Sequence, residues 1–504
     1  MNSGEPMYSH KECSIKSIND KIPQGIIHWQ SDYSIVSKKS RNGDGEKGIA
    51  VVRGSARDTS ARLRTGVQMR TKLASLTLRA RENPKYKFMT LAYLLTEDFL
   101  LGCFRELKRD KAAGIDGVRV KEYEVRLEEN LKGLVGRLKA KEYKPQPVRR
   151  VYKTKSNGGK RGLGIPTVED KVVQMGIKKI LEAIFEVDFL DVSFGFRPNR
   201  SCHQALDVLD KIIMTRPVNL VVDMDIKEFF DTIDHNWLMK CLKQRIKDTS
   251  LLRLIVRFLK AGIMEEGKFY RTDRGTPQGG VLSPLLANIY LHYILDLWFE
   301  KKVKRQLRGF AQLIRYADDF IVLFQSGKEA EEFGERLKQR LAKFGLSTAF
   351  GKSRIMEFGR LVWQKARKEG KKMATFDFLG FTHYGDKTRK GKFKLGRKTA
   401  SSKFRQKIKA MNDWLKKVRN LVELKEWWGV LRLKLLGHYR YYGISGNMQA
   451  VRRFYILTSR LAYKWINRRS QKKSYTFKQY CRFKEYNPLP EPKIYHLTYT
   501  LSSY

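Results

Sequence analysis

Two adjacent carboxylates, Asp318 and Asp319, stand between two apolar runs and constrain the fold of this chain more than any other feature. The apolar residues before them (313–314) and after them (320–324) predict two strands joined by a tight turn. Adjacent like charges raise each other's pKa, and a cation between them removes this cost. Mg²⁺ fits best, because it takes a few carboxylates together with substrate phosphates. On the hairpin alone, an ordinary acidic turn is the alternative.

A second acidic strand is predicted in the β-rich apolar run of residues 219–230. Asp223 and Asp225 are two residues apart in it and therefore point to the same face. A carboxylate near the end of a buried strand needs a partner or a metal. Asp225 with Asp318 would form a two-metal site, in which one ion activates a 3′-hydroxyl and the other holds a leaving pyrophosphate. Asp234 precedes an apolar helical run and is more typical of a helix N-cap than of a metal ligand.

A glycine-rich loop at residues 274–284 lies between the two acidic segments and contains Pro277, Gln278 and Gly279. It leads into an apolar run that predicts a buried helix. Glycines ahead of a helix let the backbone approach a ligand closely. Taken alone, these glycines also suit an ordinary loop.

In this order and spacing, Asp225, the Pro277-Gln278-Gly279 loop and the Tyr316-Ala317-Asp318-Asp319 hairpin resemble motifs A, B and C of a reverse transcriptase palm. Further segments resemble group II intron-encoded reverse transcriptase/maturases. They are residues 111–118, 162–171, 194–201, 376–381 and 435–443. The resemblance extends over residues 73–495. It implies an α+β fold, a right-hand polymerase with fingers and palm on an antiparallel sheet, followed by an α-helical thumb/maturase domain.

Composition and resemblance together divide the chain into four parts. We expect a flexible basic arm at 1–72, fingers and palm at 73–384, the helical thumb/maturase domain at 385–495, and a tail at 496–504. Within the third part, apolar residues at three- and four-residue spacing predict amphipathic helices with a cationic face. These helices are expected at residues 404–418, 424–442 and 448–469.

The resemblance assigns catalytic roles to Asp225, Asp318 and Asp319. It implies two Mg²⁺ ions held by Asp225, Asp318 and the carbonyl oxygen of Ile226, with dNTPs as substrates. Asp319 would contribute to the electrostatic field at the metal site or bind a metal less directly. In similar enzymes an aromatic ring at the position of Phe230 packs under the sugar and rejects a 2′-hydroxyl. The alternative for Phe230 is an ordinary core position.

Residues 149–161 predict a basic hairpin with an Asn-Gly turn that folds over a triphosphate. Arg161 suits bidentate phosphate binding, and Lys155 suits a point charge. A glycine follows Arg161 where many relatives have proline, which leaves open whether Lys153, Lys155 or Lys160 reaches the phosphate. A plain basic surface hairpin is the alternative.

Two further residues gain nucleotide-binding roles from the resemblance. Gln278 is similar to the residue that lies along the template–nucleotide pair. Lys352 matches a lysine that protonates the leaving pyrophosphate, although a solvated loop lysine is equally consistent with its position. For RNA binding, the resemblance and the cluster of basic and aromatic side chains favour Arg440, Tyr441, Tyr442, Arg468 and Arg469.

The charge of the chain points to nucleic acid. The 504 residues include 102 Lys and Arg against 52 Asp and Glu, a net charge of +50, which a polyanion would neutralise. A membrane partner is not expected, because no apolar run approaches the roughly 20 residues of a spanning helix. The five cysteines are scattered without a C-x-x-C pair, so neither zinc nor a disulfide framework is expected. We therefore also expect the C-terminal endonuclease of many relatives to be missing.

These observations predict an RNA-dependent DNA polymerase that binds its group II intron RNA, assists its splicing and copies it into DNA during retromobility. The expected partners are the intron RNA, an RNA template with a DNA or RNA primer, and target DNA, in a bacterial cytoplasm near the nucleoid. A splicing cofactor without polymerase activity is disfavoured, because Asp225, Asp318 and Asp319 are all present. A reverse transcriptase domesticated for host defence or repair would carry the same catalytic residues.

Overall fold

The computed structural model describes residues 56–154, 159–349, 353–470 and 474–498. Its contacts divide them into two compact units, of which one ends at Met373 and the other begins at Ala374. This boundary lies earlier than the predicted one at residues 384/385. The reason is that the strand at residues 376–378 pairs with the strand that follows it, so the hairpin stays in the second unit.

Most helices of the first unit pack around one large apolar core. They are α1 (Ala56–Glu82), α2 (Glu97–Arg105), α3 (Val120–Val125), α4 (Leu127–Lys139), α5 (Val168–Phe185), α6 (Cys202–Thr215), α7 (Phe229–Thr232), α8 (His235–Leu242), α9 (Thr249–Leu259), α10 (Ser283–Leu291), α11 (Gly327–Lys343) and α12 (Arg360–Lys368). Helix α5 is largely buried, because apolar residues surround most of its circumference. Side chains that accept backbone N–H bonds begin several helices, among them Thr167 at α5 and Ser201 at α6.

The strands of the first unit form two sheets. The strands are β1 (Val148–Thr154), β2 (Lys160–Ile165), β3 (Leu220–Met224), β4 (Ile263–Glu265), β5 (Lys268–Tyr270), β6 (Ala311–Tyr316), β7 (Asp319–Phe324) and β8 (Arg354–Glu357). One sheet has the order β2-β1-β4-β5, with a parallel pair between β1 and β4. The other has the order β6-β7-β3-β8 and is antiparallel throughout. Helices with antiparallel sheets confirm the α+β class.

The second sheet brings the acidic segments together. Strands β6 and β7 form a hairpin in which Tyr316 pairs with Asp319 across a two-residue turn. Strand β3 pairs with β7 so that Met224 lies opposite Phe320. Most of the residues of β6 and β7 and the apolar residues Val221 and Val222 of β3 are buried, whereas the edge strand β8 is largely exposed.

The second unit combines a small antiparallel sheet with helices. Its strands are β9 (Phe376–Phe378), β10 (Phe381–Lys387) and β11 (Phe393–Thr399), and its helices are α13 (Ser401–Val418), α14 (Leu424–Tyr442), α15 (Met448–Ile466) and α16 (Phe477–Tyr486). The three predicted amphipathic helices are therefore present as α13, α14 and α15. The side chain of Asn447 connects the sheet to a helix. It forms hydrogen bonds of 2.8–2.9 Å with Thr399 N and Thr399 Oγ1 at the end of β11 and with Tyr442 O at the end of α14.

In the segments that the structure describes, no helix has the length and the apolar character needed to cross a membrane.

Candidate active site

The carboxylates predicted from sequence meet at one end of the sheet β6-β7-β3-β8. Asp225 follows the last residue of β3, and the strand register places it beside Asp319 at the start of β7. Ala349 N donates to Asp225 O at 2.7 Å, which holds the backbone at this strand end. Asp318 lies in the turn next to Asp319, after Ala317, whose φ of +59° is in the left-handed region that costs a non-glycine residue about 1 kcal/mol. The turn therefore holds a strained conformation that presents Asp318.

The electrostatics of Asp318 suit a cation. Burial raises the pKa of Asp318 above its ordinary value, and the charge of Asp225 raises it further, while Arg161 and Arg315 oppose the rise. Asp225 is thus close enough to act on Asp318, and carboxylate oxygens are the donors that Mg²⁺ prefers. Within the described residues, no three His, Cys, Asp or Glu side chains form a group that could hold a metal by themselves. The pair fits Mg²⁺ because this ion commonly uses one or two carboxylates and completes its shell with substrate oxygens and water.

A hydrogen-bonded chain of three side chains flanks the carboxylates. Arg161 Nε donates to Gln278 Oε1 at 2.7 Å, and Gln278 Nε2 donates to Asp231 Oδ2 at 2.8 Å. The structure thus brings together Arg161 and Gln278, two of the residues predicted from the sequence. Asp231 was not predicted as a site residue. Its spacing of six residues from Asp225, which places it in the short helix α7, was the available signal.

The glycine-rich loop packs directly on strand β2. Gly164 N donates to Gln278 O at 2.6 Å, and Gly279 has a φ of +111°. A Cβ at Gly279 would lie 2.8 Å from Gly164 O, so a side chain would push the loop away from the strand. The loop end is held by Gln174 of α5, whose Oε1 accepts from Val281 N at 2.9 Å. The glycine therefore allows the close contact that positions Gln278.

Phe230 and Asp234 lie on the segment after β3. Phe230 is only 9% exposed and makes an edge-to-face contact with Phe229 at 5.4 Å between ring centroids. Asp234 is the N-cap of α8, and its Oδ1 accepts from Trp237 N at 2.9 Å. The N-cap prediction for Asp234 is confirmed.

The predicted phosphate-binding hairpin is present as β1 and β2, which pair from Arg149–Ile165 to Thr154–Lys160. Its turn, with Lys155, lies outside the described residues, as does Lys352. Much of the arm at 1–72 and the end of the tail at 496–504 also lie outside them.

The five residues predicted to bind RNA divide into two groups. Tyr441 and Tyr442 are 4% and 5% exposed, and both contact Phe381 of β10. Tyr441 Oη also donates to Leu379 O at 2.9 Å. Most of each ring is therefore covered by the packing of helix α14 on the small sheet, which leaves little of either ring exposed for the RNA contact expected from the sequence.

The basic residues of that set remain accessible. Arg440 and Arg468 are exposed, and Arg469 is half-buried. The guanidinium of Arg468 lies 5.7 Å from the ring centroid of Trp465. The helical period explains why the arginine is exposed and the tyrosines are buried. Successive residues of α14 point in different directions around the helix axis, so Arg440 faces solvent while Tyr439 and Tyr441 face inward.

Sequence reasoning missed the polar side chains behind the carboxylate turn. Arg315 and Asp296 form a fully buried ion pair, and Asn288 of α10 bonds to Arg315. The only signal in the sequence was an arginine and an aspartate within otherwise apolar runs. Side chains of this kind are seldom fully buried unless they are paired.

Comparisons with known proteins agree with this geometry. The model of the family described as reverse transcriptase (RNA-dependent DNA polymerase) matches residues 152–383. Group II intron-encoded protein LtrA of Lactococcus lactis subsp. cremoris is 42% identical over 234 residues, which are 46% of this chain and 39% of that protein. Protein YkfC of Escherichia coli strain K12 is 35% identical over 298 residues, 53% of this chain and 77% of that protein.

A plant protein, nuclear intron maturase 4 (mitochondrial) of Arabidopsis thaliana, is 31% identical over 134 residues, 26% of this chain and 16% of that protein. The matched part of the chain spans well under two thirds of the lactococcal protein. It spans most of YkfC, and the family model includes the strands that carry Asp225 and Asp318. The chain therefore belongs to the reverse transcriptase (RNA-dependent DNA polymerase) family.

Proposed function

We propose that this protein is an RNA-directed DNA polymerase that extends a DNA or RNA primer along an RNA template with dNTPs. The observation that carries the proposal is the meeting of Asp225 with the Asp318 turn at one sheet end, beside the Arg161–Gln278–Asp231 chain. In this proposal the first unit contains the fingers and palm, and the second contains the primer-grip sheet and the thumb.

The carboxylates would hold two Mg²⁺ ions. Asp225 and Asp318 are the ligands in this assignment, with the carbonyl oxygen of Ile226, and Asp319 shapes the local field. When bound, the ions supply activation of the primer 3′-hydroxyl and charge neutralisation at the leaving pyrophosphate. The protein's own contribution is to keep two like charges close, at the end of a rigid sheet, which lowers the cost of assembling the site.

The flanking residues would bind the nucleotide. Arg161 presents a guanidinium to the triphosphate, and Gln278, held between Arg161 and Asp231, lies along the template–nucleotide pair. Phe230 packs under the sugar and discriminates against a 2′-hydroxyl. Lys155 would add a point charge, and Lys352 would donate a proton to pyrophosphate.

The second unit would bind RNA through phosphate contacts. Arg440 and Arg468 are exposed, with Arg469 beside them, and the whole chain carries a net charge of +50. We infer that the RNA bound is a group II intron, which the protein helps to splice and copies into DNA at a target DNA site. The lactococcal relative is a group II intron-encoded protein and the plant relative is an intron maturase, which supports this choice of RNA.

The polymerase proposal is tested by dNTP incorporation on a primed RNA template with Mg²⁺. We expect synthesis by the wild type and a loss of about 10²–10³-fold in Asp318→Ala, because one of the two carboxylate ligands is removed. Asp98→Ala, which removes an exposed carboxylate in the first turn of α2, is the matched control and should keep wild-type activity. An inactive wild type would refute the proposal.

Splicing assistance is tested separately with the intron RNA. Asp318→Ala should still promote splicing, because RNA binding by the second unit does not need the carboxylates. A triple substitution of Arg440, Arg468 and Arg469 by Ala should weaken RNA binding and splicing together. Equal splicing with and without the wild-type protein would exclude this second function and leave the polymerase assignment untouched.

A further inference from the structure

A buried ion pair lies directly behind the carboxylate turn. Arg315 of β6 and Asp296, which follows helix α10, are both fully buried. Arg315 Nε donates to Asp296 Oδ1 at 2.7 Å, and Nη2 donates to Oδ2 at 2.5 Å. Desolvating two charges is expensive, and apolar residues of similar size would often be at least as stabilising. The pair therefore calls for an explanation other than stability.

The third nitrogen of the guanidinium reaches the turn itself. Arg315 Nη1 donates to Ala317 O at 2.8 Å and to Asn288 Oδ1 at 3.0 Å. Asn288 Nδ2 in turn donates to Gly195 O at 2.7 Å. One planar group thus joins the residue before Asp318 to helix α10, and Asn288 extends the connection to the loop after α5.

The loop around Gly195 also supports the turn. Phe194 N donates to Arg315 O at 2.9 Å, and Arg315 N donates to Val192 O at 2.8 Å. A Cβ at Gly195 would lie 2.3 Å from Ala317 N, so the two backbones are in direct contact. Ala317, in its left-handed conformation, is therefore held both by main-chain packing against Gly195 and by the hydrogen bond from Arg315.

The shape of the helix explains how Asn288 and Asp296 reach the same guanidinium. Two α-helical turns take about 7.2 residues, so side chains eight residues apart do not align in a regular helix. Here α10 passes into a π-helical turn at His292–Asp296, in which the i→i+5 bonding adds a residue to the turn. Two turns then take about eight residues, which is the spacing of Asn288 and Asp296.

We propose that Arg315, oriented by Asp296 and Asn288, is a positioning residue that holds the Ala317–Asp318 turn so that Asp318 faces Asp225. This inference rests on the proposed polymerase function. Arg315 acts through the turn and has no contact with substrate in this role. Releasing the Ala317 carbonyl would let the turn relax away from its strained conformation, and misplacement of a reacting group by about 1 Å can cost about 10²-fold in rate.

The experiment compares Asn288→Ala and Arg315→Lys with the wild type. Arg315→Lys keeps a positive charge beside Asp296 but cannot donate to Asp296, Asn288 and Ala317 together. Asn288→Ala keeps the ion pair and removes the amide that joins Arg315 Nη1 to Gly195 O, so it serves if the lysine variant fails to fold. Arg245→Lys is the matched control, because Arg245 is also buried, pairs with Asp188 at 3.3 Å and bonds to the backbone carbonyls of Ala80, Asn83 and Pro84.

Two readouts separate positioning from simple stability. The first is binding of Mn²⁺ to the protein alone, followed by electron paramagnetic resonance. The second is the Mg²⁺ dependence of kcat and of KM for dNTP on a primed RNA template. We expect both site variants to bind Mn²⁺ about tenfold more weakly and to need about tenfold more Mg²⁺, with KM for dNTP changed by less than about twofold. Arg245→Lys should lower the melting temperature without moving either metal curve.

The outcomes distinguish this inference from the proposed function. Folded site variants with wild-type Mn²⁺ binding and Mg²⁺ dependence would overturn the positioning role while leaving the polymerase in place. Equal shifts in Arg245→Lys would also overturn it, because they would show a general effect of buried arginines. An inactive wild type would overturn the proposed function and, with it, this inference.

Discussion

Gln278 accepts a hydrogen bond from Arg161 with its amide oxygen and donates one to Asp231 with its amide nitrogen, at 2.7 and 2.8 Å. An amide suits this position between a cation and an anion, since it both accepts and donates. A carboxylate at position 278 would be repelled by Asp231, and an ammonium group there would be repelled by Arg161. The strand β2 and the loop before α10 are thereby joined beside the carboxylates.

We expect Gln278→Ala to raise KM for dNTP by about tenfold or more, because hydrogen bonds to charged groups are worth about 1.5–3 kcal/mol and Arg161 loses its fixed orientation. Steady-state kinetics on a primed RNA template measure this change. Gln244→Ala is the control, since that exposed amide bonds only to the carbonyl of Lys240 in its own helix region. An unchanged KM in Gln278→Ala would show that the hydrogen bonds between Arg161, Gln278 and Asp231 do not position the nucleotide.

We expect Gly195→Ala to lower polymerase activity by about 10²-fold, because the added Cβ would meet Ala317 N at 2.3 Å and displace the carboxylate turn. The matched control is Gly133→Ala in helix α4, where a Cβ meets no atom within 4 Å. That substitution should raise the free energy of unfolding by about 0.5–1 kcal/mol and leave activity unchanged. Full activity of a folded Gly195→Ala variant would contradict the close contact.

The buried carboxyl of Asp170 gives the stability a dependence on pH. Burial raises the pKa of Asp170 from 3.8 to about 6, although hydrogen bonds from Tyr143, Thr167 and the Gln146 N–H oppose the rise. Because the folded state holds this proton more tightly, its contribution to stability is full below about pH 4 and is lost as pH rises through about 6.

The free energy of unfolding of the wild type, relative to Asp170→Asn, should therefore fall by up to about 1.4 kcal/mol per pH unit between about pH 4 and 6. Urea unfolding of both proteins across this range measures the difference. Asp273→Asn replaces a carboxylate whose side chain is 67% exposed. The free energy of unfolding of this control should change with pH in parallel with that of the wild type. A difference between wild type and Asp170→Asn that is constant with pH would refute the assignment.

We expect Tyr441→Phe to destabilise the second unit by about 1 kcal/mol, through loss of the bond to Leu379 O, and to leave RNA affinity unchanged. Arg440→Ala should leave stability unchanged and weaken RNA binding. The slope of the logarithm of the RNA-binding constant against the logarithm of the salt concentration should fall in magnitude by about one. Thermal unfolding and binding at several salt concentrations measure both. Weaker RNA binding by a fully stable Tyr441→Phe variant would restore a direct RNA contact for this ring.

Local patterns in the sequence were sufficient for much of the architecture. The two-residue spacing of Asp223 and Asp225 and the apolar runs around Asp318 predicted strands with carboxylates at their ends, and the structure has them there. Helical periodicity likewise predicted a helix at 424–442, which matches α14. These features are predictable because backbone geometry repeats every 2 or about 3.6 residues, so a short segment contains the signal.

Only the tertiary structure decided which side chains face one another. It turned Tyr441 and Tyr442 into the core, joined Asp231 to Gln278, and paired Arg315 with Asp296 behind the turn. Each of these relationships depends on the packing of separate elements or on a local departure such as the π-helical turn, and neither leaves a periodic trace in the chain. The sequence by itself thus determined the elements and the chemical groups of the site, while packing decided their orientation, because burial and pairing are properties of neighbours in space.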